Sequence, residues 1–204
     1  ENVDYGALTI FSYDEYGGLS ATPVDEVICD YDWDTRTLGQ VHDVSWKVNT
    51  TPAIDEMYLV AVGDFVNSFT QVAVYQFDGT ELTLKDTQDF ADKTVNAVSW
   101  RPEQNEFAAG GLAIDGTNDV IIYPFDGSDI GAAAHTLDKN ATVKSLDWTH
   151  DGNYLAVGAG TTLYIVDDSL TDVTSVDCGQ TINDVKWDKN YRIVVGVNSG
   201  DNNE

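Results

Sequence analysis

Residues 95–126, VNAVSWRPEQNEFAAGGLAIDGTNDVIIYPFD, decide the fold. This stretch holds three short apolar runs separated by residues that favour turns. The first run has aliphatic residues at its first and fourth positions and tryptophan at its sixth. The same spacing occurs four times along the chain, at residues 41–46, 95–100, 143–148 and 182–187. Four copies of one spacing indicate an internal repeat.

Three further runs recur along the chain in the same order. The second is a small apolar stretch closed by glycine, at residues 59–63, 106–110, 154–158 and 192–196. The third ends in aspartate, at Asp14, Asp78, Asp126 and Asp167. A weaker fourth run covers residues 19–27, 82–90, 132–137 and 170–176. We name these runs a, b, c and d. A repeat of about 40 to 55 residues with four β-rich runs is typical of a propeller blade.

On these runs the chain resembles the WD-repeat β-propeller family over nearly all of its length. The Trp-Asp dipeptide that ends strand c in that family is replaced here by Phe-Asp, Tyr-Asp or Val-Asp, and no Gly-His pair precedes strand a. We therefore transfer the blade from the family and not its hydrogen-bond network. The expected fold is all-β, a propeller of four-stranded antiparallel blades.

The order of the runs predicts one domain, residues 1–204, with four blade equivalents. Runs c and d form a half blade at residues 6–30, and runs a and b form another at 182–197. Three whole blades lie between them, at residues 41–90, 95–137 and 143–176.

A half blade leaves a row of unpaired N–H and C=O groups along its open edge. WD-repeat propellers close by completing one blade from both termini, and the offset of this chain resembles that closure. The two halves can meet within one chain, as a four-bladed ring, or between chains, as an eight-bladed dimer or an open filament. The sequence can also be an excerpt of a larger ring. The expected blade-completion residues are Leu8, Ile10, Phe11, Tyr13, Ile182, Val185, Trp187, Ile193 and Val195.

Charge narrows the class of partner. The chain has 35 acidic and 10 basic residues, a net charge of −25. Such a surface repels nucleic-acid phosphates and anionic lipids, and no apolar run approaches the length of a membrane span. We therefore expect a second copy or another protein as partner, with no nucleic acid and no membrane insertion.

Two Asn-x-Thr triplets, at Asn49 and Asn140, are candidate glycosylation sites. They favour an extracellular or cell-surface location. The acidic composition is equally typical of the cytoplasm of a salt-adapted organism, which is the alternative.

Residues 30–34, DYDWD, are the one pattern that suggests a metal. In an extended chain Asp30, Asp32 and Asp34 lie on one face, where their carboxylates are weak candidates for Ca²⁺. The spacing does not fit an EF-hand loop, because Thr35 occupies the glycine position and Val41 the position of the bidentate glutamate. A solvated acidic loop is the alternative.

A candidate partner face lies on the d–a and b–c connections, which share one side of a propeller. Trp33, Arg36, Phe65 and Phe69 fall there, and tryptophan and arginine are favoured interface anchors. The alternative is that these rings fold back over the blade edges.

The residue inventory offers no catalytic residue. His42, His135 and His150 occupy unrelated repeat positions, and no Ser/His/Asp arrangement or glycine-rich phosphate loop is present. Cys29 and Cys178 are isolated in sequence, and a disulfide between them is left open. No cofactor is expected other than the weakly indicated calcium ion.

The recurrent tryptophans invite a ligand-stacking hypothesis. Their identical register, once per blade, instead predicts packing between blades. They are Trp46, Trp100, Trp148 and Trp187.

We therefore expect a non-enzymatic structural or interaction protein that self-assembles by blade completion into a ring or an extracellular filament. The alternatives are a scaffold that presents its variable-loop face to another protein, and a calcium-dependent adhesin.

Overall fold

The computed structural model describes residues 6–11, 20, 22–29, 31–32, 37–38, 40–47, 57–65, 70–90 and 93–198. Those residues form eighteen strands: β1 (Gly6–Ile10), β2 (Asp25–Cys29), β3 (Tyr31–Asp32), β4 (Thr37–Leu38), β5 (Gln40–Trp46), β6 (Met57–Phe65), β7 (Thr70–Phe77), β8 (Leu82–Asp89), β9 (Val95–Trp100), β10 (Glu106–Gly111), β11 (Val120–Pro124), β12 (His135–Leu137), β13 (Val143–Trp148), β14 (Tyr154–Ala159), β15 (Thr162–Asp167), β16 (Asp172–Asp177), β17 (Ile182–Trp187) and β18 (Ile193–Val197).

The strands pair in chain order into antiparallel sheets. Three sheets have four strands: β5 to β8, β9 to β12, and β13 to β16, which we name the first, second and third blades. Two-stranded sheets are formed by β1 and β2, the N-terminal sheet, and by β17 and β18, the C-terminal sheet. The expected all-β fold of four-stranded antiparallel blades is confirmed.

Neighbouring sheets pack against each other in the same order. The first strands of successive blades lie side by side, β5 against β9, β9 against β13, and β13 against β17. The N-terminal sheet packs on the first blade through β1 and β5. Two of the apolar clusters fill the junctions on either side of the second blade.

The tryptophans that end strands β9 and β13 fill these junctions, as the sequence predicted. Trp100 stacks on Tyr58 of the first blade, with ring centroids 6.4 Å apart, and Trp148 is buried below Arg101 of the second blade. Trp46 is an exception, because the sheet before the first blade has two strands and leaves this ring partly exposed.

The glycines that close run b are explained by the same junctions. A methyl group on Gly110 would lie 2.7 Å from Val143 Cγ1, and one on Gly158 would lie 2.7 Å from Ile182 Cγ2. Both contacts are too close for a side chain. Glycine therefore lets strand a of the next blade approach the sheet.

Two local features add detail to the repeat pattern. Residues 30–40, the connection between runs d and a ahead of the first blade, contain the short hairpin of β3 and β4, with Tyr31 opposite Leu38. Run d of the second blade, expected at residues 132–137, forms only the three-residue strand β12, which pairs with β11 no further than Ile122. Pro124, which has no N–H to donate, thus ends β11 where pairing with β12 has already stopped.

Side chains of one blade also cap the backbone of the next. Strand a has a neighbour on one side only, so its other edge carries N–H groups with no strand partner. Val98 N–H donates to Asp43 Oδ2 (2.9 Å) and Trp100 N–H to Ser45 Oγ (2.8 Å). The pattern recurs at the later junctions: Trp148 N–H to Ser99 Oγ, Val185 N–H to Ser145 Oγ, and Trp187 N–H to Asp147 Oδ2. We name these contacts the junction caps.

A second link between blades centres on Arg101. Its guanidinium donates to Gly152 O (2.6 Å), Glu106 Oε1 (2.5 Å) and Asp168 Oδ2 (2.8 Å), and it lies 5.1 Å from the Trp148 ring. Gly152 has a positive φ of 68°, and a Cβ there would lie 3.1 Å from Arg101 Cγ. One side chain thus joins the second blade to two turns of the third.

The Arg101 link predicts a stability loss in Arg101→Ala. We expect the free energy of unfolding to fall by about 2 kcal/mol, because charge-assisted hydrogen bonds are lost and their acceptors lose their partner. Arg101→Lys should recover less than half, since an ammonium cannot replace the planar fork. Urea unfolding followed by tryptophan fluorescence measures both. Arg192→Ala, at an exposed arginine, is the matched control and should change little; equal losses in both alanine variants would contradict the link.

The junction cap at Asp43 predicts a pH-dependent difference between two variants. Burial raises the pKa of Asp43 above its ordinary 3.8, against the lowering effect of the Val98 and Val44 N–H groups. A raised carboxyl pKa means that the folded protein holds the proton more tightly than the unfolded chain. The contribution of Asp43 to the free energy of unfolding therefore falls as pH rises above 3.8 toward the raised pKa.

Asp43→Asn keeps an oxygen acceptor for Val98 N–H without the buried charge, whereas Asp43→Ala leaves that N–H uncapped. We expect the Ala variant to be about 1–3 kcal/mol less stable than the Asn variant in urea unfolding. The Asn variant should gain stability relative to wild type between pH 4 and pH 7. Equal stability of the two variants would show that the cap contributes nothing.

Candidate interaction surfaces

The two ends of the row of blades differ from its interior in exposure. Val44 and Trp46, in strand a of the first blade, are 42% and 38% exposed, whereas the matching Val98 and Trp100 are 2% and 3% exposed. At the other end, Val194 in β18 is 72% exposed. We name Val44 with Trp46 the leading edge, and Val194 with Val197 the trailing edge.

The expected blade-completion residues fall into two groups. Leu8 and Ile10 pack with Leu59 on the first blade, and Ile182 and Val185 are buried against the third blade. The others that the structure describes are Phe11, which is exposed, and Trp187, Ile193 and Val195, which are partly buried in the C-terminal sheet. Tyr13 lies outside the described residues.

The open strand edges belong to β1 and β18. In the described part of the chain β1 is hydrogen-bonded to β2 and β18 to β17, and the two sheets are not joined to each other. Completion of a blade within one chain is therefore not the arrangement of this structure, and completion between chains stays a prediction.

Most residues of the expected partner face fall outside the described part of the chain. Trp33, Arg36 and Phe69 lie there, and only the backbone of Phe65, at the end of β6, is described. Asn49 is also outside it, whereas Asn140 is exposed between β12 and β13.

The calcium candidates Asp30 and Asp34 are not described, and Asp32 is described only as backbone in β3. Within the described ranges no group of three or more His, Cys, Asp or Glu side chains is placed to hold a metal ion. Cys178 carries a free thiol. In the same ranges there is no helix with the length and apolar character needed to cross a bilayer.

Aspartates at the ends of run c have a structural use. Asp126 Oδ1 accepts the N–H groups of Ser128 and Asp129 at 2.9 and 2.8 Å, and these bonds hold the pKa of Asp126 below its ordinary value. Asp78 and Asp167 cap the corresponding turns. Some of the acidic residues of the chain thus cap turns and do not form a binding site.

The histidines also have structural contacts. His42 Nδ1 lies 2.9 Å from Val95 O across the first junction, and the His150 ring packs edge-on against Tyr191. His135 is exposed in β12.

A cavity of about 400 Å³ opens between the first and second blades, on the side of the d–a and b–c connections. Phe90, directly after β8, and Tyr123 of β11 line it with rings 6.1 Å apart. Ile114 and Asp115, from the loop between β10 and β11, also line it. Asp89 and the exposed Lys93 complete the charged lining.

Tyr123 is the unusual residue of this cavity. Its side chain is 5% exposed, and within the described residues its hydroxyl has no hydrogen-bond partner. Burial, with a smaller effect of the Asp115 carboxylate, raises the pKa of Tyr123 to about 12. The phenol is therefore protonated at neutral pH and can still donate and accept a hydrogen bond.

Two buried polar residues position the cavity walls, and both were missed in the sequence. Gln71 Oε1 accepts Phe90 N–H at 2.6 Å. Asp119 Oδ1 accepts Ala113 N–H, and its Oδ2 accepts the N–H groups of Lys139 and Ala141. Each directly precedes the buried run of strand c, and this shared position was the available signal.

Asp119 predicts a large effect on stability. Asp119→Ala leaves the N–H groups of Ala113, Lys139 and Ala141 without their acceptor, so we expect a loss of at least about 2 kcal/mol in urea unfolding. Asp119→Asn keeps one acceptor oxygen and should lose less. Asp138→Ala, which removes one exposed turn cap beside Asn140, is the control; a comparable loss there would contradict the role given to Asp119.

Comparison with known proteins supports the fold. No protein-family model matches the sequence, and no curated protein matches it. Among the many solved structures that match, a chain of the "Crystal Structure of Mitotic Checkpoint Complex" superposes with a TM-score of 0.54 at 19% identity, over 81% of this chain and 46% of that chain. That neighbour is a WD40 β-propeller, and this chain spans less than half of its length. The likeness concerns the fold alone, and it shows that the blades are arranged as in a WD40-like propeller.

Proposed function

We propose that this chain is a non-enzymatic protein-interaction scaffold and that it assembles with further copies of itself by blade completion. The exposure of the leading edge carries the proposal. Val44 occupies a position that is buried against the preceding blade in all three later strands a, and the position of Trp46 is buried in β9 and β13. Large exposed apolar side chains at a repeated interface are typical of a contact surface.

A second copy has the hydrogen-bonding side chains that would cap the leading edge. At the first junction the second and third residues of strand a, His42 and Asp43, reach Val95 and Val98 of the next blade. In β17 the same positions are held by Asn183 and Asp184. Within the described residues the side-chain partner of Val44 N–H is local, Asp43 Oδ1 at 2.8 Å. A β17 strand from another copy can cap this edge as the interior blades cap one another.

The trailing edge supports the same partner. The C-terminal sheet supplies strands that correspond to a and b, and the N-terminal sheet supplies strands that correspond to c and d. Pairing of β18 with β1 of a second copy would complete a four-stranded blade and would satisfy both open edges at once. It would also cover Val194 and Val197, which are exposed in the single chain.

Charge works against this assembly at low ionic strength. Each copy carries a net charge of −25, so two copies repel each other over roughly the Debye length, about 10 Å at 0.1 M salt. Assembly should therefore strengthen as salt rises. An extracellular or high-salt setting, as expected from the composition, would suit it.

A scaffold that binds a different protein is the second candidate. The cavity between the first and second blades favours it, because it places an unpartnered phenol and charged side chains on the variable-loop side. The two candidates use different surfaces and can be tested separately.

Self-assembly predicts a mass that depends on concentration and salt. In size-exclusion chromatography with light scattering, we expect multiples of the 22.3 kDa chain whose share rises between 0.05 and 1 M NaCl. A fixed dimer would indicate a closed ring, and a broad series would indicate a filament.

Edge variants locate the contact. Val194→Lys and Val44→Glu should each shift the protein to monomer, because a charge would be buried in the new junction. Val173→Lys is the matched control, since Val173 is 55% exposed on the outer strand β16, away from both edges. A wild-type chain that stays monomeric at 1 M NaCl, or equal effects of all three variants, would contradict assembly through these edges.

A further inference from the structure

We propose that the cavity between the first and second blades binds the guanidinium group of an arginine side chain presented by a partner protein. The inference rests on the interaction role proposed above, but it uses a surface distinct from the blade edges. Its ligand is a cationic side chain rather than a second strand.

The Tyr123 phenol provides the first argument. Tyr123, a residue that is 5% exposed, lines the cavity, and within the described residues its hydroxyl has no hydrogen-bond partner. A ligand in the cavity can therefore form a hydrogen bond with this hydroxyl without displacing a protein group. Because the phenol is neutral at physiological pH, its oxygen can accept a hydrogen bond from an N–H donor.

The electrostatic surroundings provide the second argument. The Asp115 carboxylate acts on the Tyr123 phenol, and Asp89 lies on the same lining. Burial opposes ionisation of Asp115, but hydrogen bonds from Asn118 and Thr117 lower its pKa, so it is charged at neutral pH. Two carboxylates against one lysine leave the lining net negative, within a chain of net charge −25. This field attracts a cation.

The aromatic rings select among cations. Phe90 and Tyr123 line the cavity together, and a planar guanidinium can stack on rings while its N–H groups reach carboxylates. The ammonium of lysine offers only a point charge. Arginine is therefore the side chain that matches the rings, the phenol and the carboxylates.

The cavity walls are held in place before any ligand arrives. Gln71 fixes the backbone at Phe90, and Asp119 fixes the loop that carries Ile114 and Asp115. Pre-formed walls reduce the ordering cost of binding.

Fluorescence anisotropy with a labelled Gly-Arg-Gly peptide, both ends blocked, tests the inference at 0.05 M NaCl. The matched ligand is the same peptide with citrulline, which keeps the shape of arginine and removes its charge. We expect saturable binding that is at least about fivefold tighter for the arginine peptide. Equal affinity for both peptides would overturn the proposal.

Protein variants then place the peptide in the cavity. Tyr123→Phe removes only the hydroxyl and should weaken binding by about two- to tenfold. Asp89→Asn should weaken it by about two- to fivefold, whereas Asp129→Asn, an exposed aspartate in the turn after β11, should have no effect.

The Lys93→Gln variant tests whether the cavity prefers a cationic or an anionic ligand. Removing this exposed cation should strengthen binding of a cationic peptide by about two- to fivefold. Weaker binding in Lys93→Gln would indicate an anionic ligand and would overturn the proposal, as would unchanged binding in Tyr123→Phe with a native near-ultraviolet spectrum.

The edge variant Val44→Glu separates this inference from self-assembly. It should bind the arginine peptide as well as wild type does, because the leading edge is not part of the cavity lining. Loss of peptide binding in Val44→Glu would show that the cavity exists only in the assembled protein and would overturn the claim of a separate surface.

Discussion

The inner edge of strand a sets the conditions for the rest of this structure. A blade gives strand a a neighbour on one side only, so the N–H groups on its other side need a partner from elsewhere. Asp43, Ser45, Ser99, Ser145 and Asp147 supply that partner from the preceding blade. Since buried donors without acceptors are costly, each blade depends on the blade before it. Each cap is supplied by the preceding blade to the following one, and among the described residues strand a of the first blade receives no such cap.

The same junctions explain the repeated apolar positions. Glycine in run b admits the next strand a, and the tryptophans of β9 and β13 fill the space beside it. Arg101 adds a polar link at the outer end of one junction. Apolar packing thus supplies the area of the junctions, whereas the caps and Arg101 fix their geometry. Val44 and Trp46, which are exposed, occupy the positions that Val98 and Trp100 hold in this packing.

Much of the fold was predictable from sequence because the decisive features are periodic. The Val-x-x-Val-x-Trp run, the glycine of run b and the aspartate of run c each mark one strand or turn, and their order gives antiparallel blades. The polar residues inside strand a were not assigned, because Asp43 and Val98 are 55 positions apart and no local pattern links them. The hairpin of β3 and β4 was missed because its strands have two residues each. Tyr123 falls within run c, and its position in the cavity depends on the packing of the first blade on the second, which no local pattern encodes.

Amide hydrogen exchange measured residue by residue by NMR is the most direct test of the junction caps. At low salt and low concentration, the account predicts strong protection of the Val98, Trp100, Val185 and Trp187 amides, and fast exchange at Val44, which has only a local partner. Raising the salt and the protein concentration should slow exchange at Val44 as a second copy covers the leading edge. Fast exchange at Val98 and Trp100, at rates equal to that of Val44, would contradict the claim that each blade is capped by the blade before it.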